Sequence, residues 1–474
     1  MQLPDIFLLG FLLILLRLIP VQWVKRSLML IASCVFVFMF QPVLPVRGLD
    51  FYFPLLTLLL TFVVYGSFST QNPLISRQNL IDAAIVLGTV CLITATRIIS
   101  YDGILTASRP PQFLRVFPAA AIGFGLAFLM NYLVRKKEYK FPAKICVGFI
   151  LAVLVFLKTP QLSTLFSRAV RTMNGQDAGL ALSTDIRWFG FSYIAFRLLS
   201  ILLDSLKGRK TDLSAGEFLV YVCFPPALSA GPIDRWDRFA KEYKAHPVSS
   251  FTEDLQSGLG RIAIGLFRKF ILADALAKMA LSAQNAGQFI HKGWAWAAVF
   301  AYALQIYFDF SGYSDIAIGL GTLFGIHLPK NFDHPYLKPD LTKFWSSWHM
   351  TLTQWIRSYV FNPLTRSLRA SKEHPMPQWL IMLITQLTTM LLIGLWHGVT
   401  VNYVIWGLWH GIGLFVHQLY SRRTSAWLRS KGSAFQKVYT LCSTCFTILY
   451  VTLGWIWFVV PDFPAAVQFF GRLF

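Results

Sequence analysis

Long apolar runs separated by short polar connectors recur from one end of this chain to the other. A run of about 20 apolar residues crosses the hydrocarbon of a bilayer as a helix, and only helices or closed barrels satisfy every backbone group there. The runs are too long and too uniformly apolar for barrel strands, which alternate in character. The pattern predicts an all-α, polytopic helical membrane protein, with about 11–13 membrane helices once re-entrant and broken ones are included. Early spans are predicted over residues 6–20, 28–46, 49–66, 80–99, 116–134, 145–157 and 187–206. The first and sixth are short for a straight crossing.

The connectors carry the orientation. Lys25 and Arg26 follow the first run, Arg77 the third, Arg135, Lys136, Lys137 and Lys140 the fifth, and Lys207, Arg209 and Lys210 the seventh. The connectors between them are poorer in charge, apart from Arg109 and Arg115 and later Arg168 and Arg171. Cations collect on the cytoplasmic side, so the N-terminus is expected outside. The opening stretch has no basic lead and no small-residue cleavage site, and is expected to be a retained first span rather than a signal peptide.

The texture changes near residue 210. Residues 1–210 are expected to form scaffold helices, and 211–474 a catalytic core with terminal helices, all within one integral membrane domain. Pro225, Pro226 and Pro232 break "FPPALSAGPIDRWDRF". A helix is expected from about Gly258 to Ala280. The run from Trp294 to Ile326 holds Asp309 and Asp315 beside Ser311, Gly312, Tyr313 and Ser314. It is too long for one span and too polar in its middle to face lipid. Residues 330–366 are amphipathic, rich in tryptophan and centred on His349. A helix from Gln378 should reach His397, and another from about Asn402 should return to Arg422 and Arg423.

Composition narrows the classes. Of the 474 residues 55% are hydrophobic and 14% charged, far from a soluble chain. The net charge of +21 would suggest nucleic acid on a soluble protein. Here the cations sit in connectors, so the expected partner is the bilayer and not nucleic acid. The six cysteines are scattered, and "CSTC" at 442–445 lacks a redox-fold context, so they read as packing residues. There is no phosphate-binding glycine loop, no G-x-S-x-G and no H-E-x-x-H, so no metal and no tightly bound cofactor are expected.

Ionisable side chains within membrane runs are costly and mark candidate sites. These are Asp309, Asp315, His349, His397 and His410. The pentapeptide GLWHG occurs twice and holds His397 and His410 in identical local sequence. Taken as a residue type, His397 could simply bridge two helices by a hydrogen bond. Yet it lies where a helix should stop, between Trp396 and Gly398 and ahead of "VTVNY", where a cavity could open. His410 lies inside a regular run beside Gly411 and Gly413, so packing is favoured. For His349, an interfacial helix explains Trp345, Trp348 and Trp355 but not the histidine. Acyl transfer to a hydroxyl suits such histidines. A thioester is already activated, the alcohol is a weak nucleophile, and a positioned imidazole can take its proton. A second histidine, an indole N–H or a backbone N–H could steady the oxyanion.

Several motifs in order, "PALSAGPIDRWDRF", "FDFSGYSDIAIGLGTLFGIHLPKNFDHPYL", "LTKFWSSWHMTLTQWIRSYVF" and "GLWHG", resemble the membrane-bound O-acyltransferase family. The likeness covers roughly residues 185 to 420 and points to the bacterial branch for alginate O-acetylation and teichoic-acid D-alanylation. It implies a multi-helix fold around a funnel or tunnel. It also implies His397 as the principal active-site histidine, His349 as the second and His410 as a secondary position. Asp309, Ser311, Tyr313, Asp315, Trp345, Trp348, Arg357, Trp396 and Asn402 are candidates to line the substrate path. Ser346, Ser347 and Ser358 stand where the family often has charged residues, which bears on donor or partner contact. The resemblance implies a cytoplasmic thioester donor, either acetyl-CoA or the phosphopantetheine of an acyl carrier protein. It implies an extracytoplasmic glycan acceptor, reached through a separate partner acyltransferase, and a place in the bacterial cytoplasmic (inner) membrane. Acetyl transfer to a polysaccharide is the leading expectation and D-alanyl transfer to a teichoic-acid-like polymer the alternative. From other classes, a glycan or lipid transporter or a non-catalytic scaffold would also carry broken helices and intramembrane carboxylates.

Overall fold

A computed structural model describes residues 2–68, 76–100, 103–136, 140–209, 213–244, 250–370 and 376–474. The expected boundary at residue 210, and the connector cations Lys137 and Lys210, lie outside them. The chain forms two units, 1–262 with 316–328 and 263–315 with 329–474.

The first unit contains α1 (Leu3–Leu18), α2 (Gln22–Met39), α3 (Leu49–Phe68), α4 (Arg77–Ile99), α5 (Phe113–Lys136), α6 (Lys140–Lys158), α7 (Pro160–Met173), α8 (Phe191–Leu206), α9 (Ala215–Val222), α10 (Trp236–Lys244) and most of α11 (Phe251–Leu266). The apolar helix α3 is its most buried span and packs on α2, α5, α6, α8 and α9. The run expected over 28–46 stops being helical at Met39, because Pro42 and Pro45 lack amide donors and disfavour helix before them. The run expected from 187 becomes helical only at Phe191. Gly190 precedes it at φ 68°, close under the Leu228 carbonyl where a side chain would collide. Ser214 and Glu217 form a capping box that starts α9. The proline-rich stretch is a single 3-10 turn over Pro225–Ala227. Buried Arg197 donates to the carbonyls of Val222 and Ala227, which the broken helix leaves open.

The second unit holds α12 (Asp274–Ala277), the first part of α13 (Lys292–Phe324), α14 (Leu341–Ser347), α15 (Met350–Ile356), α16 (Asn362–Arg369), α17 (Gln378–His397), α18 (Val401–Arg429), α19 (Ser433–Val459) and α20 (Phe463–Leu473). The helix expected over 258–280 is real but widened, with a π segment at Phe267–Ala273; a second lies at Arg357–Phe361. The polar run from 294 is part of a single unbroken helix, α13, of 33 residues. It holds no proline, and Asp309 and Asp315 are paired with Lys269 and Arg268 of the π segment. Gly312 permits this approach, since a Cβ there would strike the Gly265 carbonyl and the Lys269 amide. Glycines also bring α17 and α18 together: a Cβ on Gly407 would meet the Met390 carbonyl and Leu391.

Seven helices of the described residues are long and apolar enough to cross a membrane: α2, α3, α4, the Phe113–Leu133 part of α5, α6, α17 and α19. The chain is an integral membrane protein.

Candidate active site

The amphipathic stretch centred on His349 is not one helix. It breaks at Trp348, and His349 sits at φ 44°, a left-handed conformation that few side chains adopt. The break turns the imidazole into the protein, where it is buried. Its Nδ1 lies 2.9 Å from Oδ1 of buried Asn331. The same oxygen accepts from the Thr351 hydroxyl at 2.9 Å and the Thr351 amide at 3.4 Å. A backbone N–H can only donate, so this atom is the amide oxygen, and His349 must donate through Nδ1. In the neutral ring the lone pair is then on Nε2. The Asn331 amide nitrogen donates to the Ser314 hydroxyl at 3.2 Å, and the Asn331 carbonyl accepts from the Met350 amide. Asn331 thus ties together both sides of the helix break.

His397 is the last residue of α17, as its surroundings suggested. Half-buried, its ring lies edge-on to Phe458 at 4.7 Å between centroids, and near Trp396, Tyr403 and Trp406. Gly398 is required here because a Cβ would press into the Tyr403 ring.

The two histidines share one cavity of about 80 Å³. Its wall is aromatic and aliphatic: Phe310, Trp345, Trp348, Trp406, Trp455 and Phe458, with Ile306, Leu352, Ile393 and Thr353. Among the described residues, the imidazoles are its only titratable lining groups. That volume holds a few waters or a small acyl group. The indole N–H groups of Trp345 and Trp406 are buried without hydrogen-bond partners among the described residues.

The other expected residues are distributed unequally. Trp345 and Trp348 line the cavity, and Trp396 lies against His397 and 6.4 Å from the His349 ring. Asp309 and Asp315 are held by Lys269 and Arg268, Ser311 and Tyr313 are buried in α13, and Arg357 is exposed at the start of its π segment. Asn402 is buried and donates to the Val460 carbonyl, tying α18 to the end of α19. None of these six lines the cavity. His410 is fully buried in α18 among Trp345, Trp406, Tyr450 and Trp455, also off the cavity. Sequence reasoning missed Asn331. The only signal was its place within "KNFDHP", a short stretch rich in turn-forming residues, which does not point to a histidine 18 positions on.

The chain is similar to known membrane acyltransferases. The profile of MBOAT, the membrane-bound O-acyltransferase family, matches residues 145–454, which include both histidines and Asn331. A probable alginate O-acetylase of Pseudomonas putida is 31% identical over 334 residues, 69% of this chain and 63% of the relative. A teichoic acid D-alanyltransferase of Streptococcus thermophilus is 31% identical over 252 residues, 52% of this chain and 59% of the relative. A peptidoglycan O-acetyltransferase of Helicobacter pylori is 32% identical over 253 residues, 53% of this chain and 45% of the relative. In each case the match spans less than two thirds of the relative's length. With its profile match covering more than half the chain, this protein belongs to the membrane-bound O-acyltransferase family.

Proposed function

We propose that the protein is an acyltransferase of the bacterial cytoplasmic membrane, with its N-terminus outside. It takes an acyl group, acetyl first, from a cytoplasmic thioester and delivers it to hydroxyls of an extracytoplasmic polysaccharide, through a separate partner acyltransferase. The donor is acetyl-CoA or a carrier-protein phosphopantetheine, bound as substrate. The observation that carries this reading is the shared cavity: two imidazoles, one at a helix break and one at a helix end, on one small and mostly apolar wall.

The chemistry follows from that wall. His397 takes the proton of the accepting hydroxyl, and the oxygen attacks the thioester carbonyl. As the tetrahedral centre collapses, the carbon–sulfur bond breaks and the thiolate leaves with the proton held by the imidazole. His349, fixed by Asn331 with its Nε2 lone pair available in the neutral ring, assists by accepting from the hydroxyl and orienting it. The indole N–H groups of Trp345 and Trp406, on lining residues and without a partner among the described residues, are candidate donors for the oxyanion. The apolar wall limits hydrolysis of the thioester by limiting water. Asp309, Ser311, Tyr313, Asp315, Arg357 and Asn402 do not line the cavity and act at a distance from the reacting atoms.

D-alanyl transfer is the second reading, favoured by the similarity to teichoic acid D-alanyltransferases. The test is an acyl-transfer assay on protein reconstituted in proteoliposomes, offered labelled acetyl and D-alanyl thioesters. His397→Ala should lose at least about 100-fold in rate while melting normally. Near-normal turnover by that variant sinks the assignment, and the preferred thioester decides between the two readings.

A further inference from the structure

The histidine cavity limits what a thioester can bring to it. The reacting carbonyl has to stand within reach of both imidazoles, so the acyl group has only the remaining walls around it. Those walls come from the same two stretches of chain as the histidines. On α17, Ile393 precedes His397 by one turn and lines the same cavity. Leu352 and Thr353 of α15 follow His349 by three and four positions, again about one turn. Each imidazole therefore brings an aliphatic neighbour into the cavity beside it.

These neighbours have little room to step aside. Leu352 and Ile393 keep only 4% and 6% of their surface. The Thr353 hydroxyl is committed to the carbonyls of Trp345 and Trp348, at 3.1 and 3.4 Å. Side chains packed at protein density take in a surplus methylene only with strain.

Volume then sets a ceiling. A protein cavity of about 150 Å³ holds benzene, with six non-hydrogen atoms, so each atom takes roughly 25 Å³. The cavity of about 80 Å³ here holds about three. Acetyl has three and propionyl four. D-alanyl and its uncharged isostere, isobutyryl, both have five. Charge does not make the same distinction. No carboxylate among the lining residues neutralises an ammonium, yet aromatic rings dominate the wall, and an aromatic face attracts a cation. We propose that Ile393 and Leu352 are specificity-determining residues that hold the site to a two-carbon acyl group. The inference rests on the acyltransferase reading and deepens it, by naming the side chains that exclude longer and branched acyl groups, D-alanyl among them.

The test offers acetyl, propionyl, isobutyryl and D-alanyl to the full chain in proteoliposomes, each as its pantetheine thioester, with glycerol as the hydroxyl acceptor. Thiol release above that of His397→Ala gives kcat/KM for each, and the common thiol cancels the carrier's own contribution. Propionyl should fall about tenfold below acetyl, and isobutyryl and D-alanyl at least about 100-fold. Ile393→Ala and Leu352→Ala each remove three non-hydrogen atoms, roughly 75 Å³ on the same scale, enough for the two that isobutyryl adds. In either variant the isobutyryl-to-acetyl ratio should rise at least about tenfold, and a ratio within one preparation is independent of how much protein folds. Isobutyryl or D-alanyl turned over by the unaltered chain as fast as acetyl overturns the proposal, leaves the acyltransferase reading intact and needs no variant. A ratio unmoved in both variants overturns it as well. Thiol release that His397→Ala lowers for none of the four removes the acyltransferase reading and the proposal with it.

Discussion

Asn331 offers the sharpest test of how the histidine pocket is built. Replacing it by Leu keeps the bulk but removes the acceptor for the His349 Nδ1–H and the Thr351 hydroxyl. Both donors are buried, and a buried donor left without an acceptor costs about 1–3 kcal/mol. A loss of about 2–5 kcal/mol in stability is therefore expected, read as a lower melting temperature in detergent. If His349 works through the ring orientation that Asn331 imposes, turnover should also fall about 10- to 100-fold. Stability and turnover are separated by a double-mutant cycle in the proteoliposome assay. In a His349→Ala background, Asn331→Leu should cost almost no further turnover, because the group it positions is already gone. Asn331→Asp keeps the acceptors and should recover most of the melting temperature. Independent, additive losses of turnover in the cycle would refute the reasoning: Asn331 would then be a packing residue that merely touches His349.

Other expectations concern the scaffold. Gly394→Ala places a Cβ against the Tyr403 carbonyl, a backbone atom that cannot swing away, so it should destabilise the α17–α18 pair by about 1–3 kcal/mol. Gly88→Ala in α4 meets open space and should stabilise by up to roughly 1 kcal/mol; opposite shifts in melting temperature check the pair. Burial alone would raise the Asp185 carboxyl, but bonds from Ser167, the Leu182 amide and Arg171 hold it below the ordinary carboxylate range. Its contribution is therefore complete above the unfolded value, near pH 4, and fades as pH falls through the lower folded value. Hydrogen exchange over 174–190 should rise below pH 4 and not between pH 5 and 7. Arg171→Ala leaves that carboxylate buried without its counter-charge, and should cost about 3–5 kcal/mol by thermal melting.

The legible part of this protein was what hydropathy and breakers encode locally. Apolar runs placed α3, α4, α6 and α17, and the prolines at 225 and 226 placed a break. The end of α17 at His397 followed from Gly398 and the residues after it. Two things were not legible. The carboxylates of α13 looked like an interruption, because their neutralising partners, Arg268 and Lys269, come from a segment 40 or more positions earlier. The pocket itself depends on a left-handed residue at 349 and an amide 18 positions before it. No periodicity carries either fact, since both exist only once the chain has closed on itself. The same limit explains the unequal fate of the two GLWHG copies. Identical pentapeptides put one histidine on a helix end beside a cavity and the other inside a tryptophan cage.

The left-handed turn at His349 has a consequence for what this site can be made to accept. Such a backbone costs an L-residue roughly 1–2 kcal/mol and costs glycine almost nothing. His349→Gly would thus relax the chain while leaving an imidazole-shaped vacancy whose Asn331 acceptor is still in place. The strained position is in effect a socket with its own plug attached. A free azole from solution would find there the hydrogen bond and the aromatic neighbour, Phe310, that the tethered ring now uses.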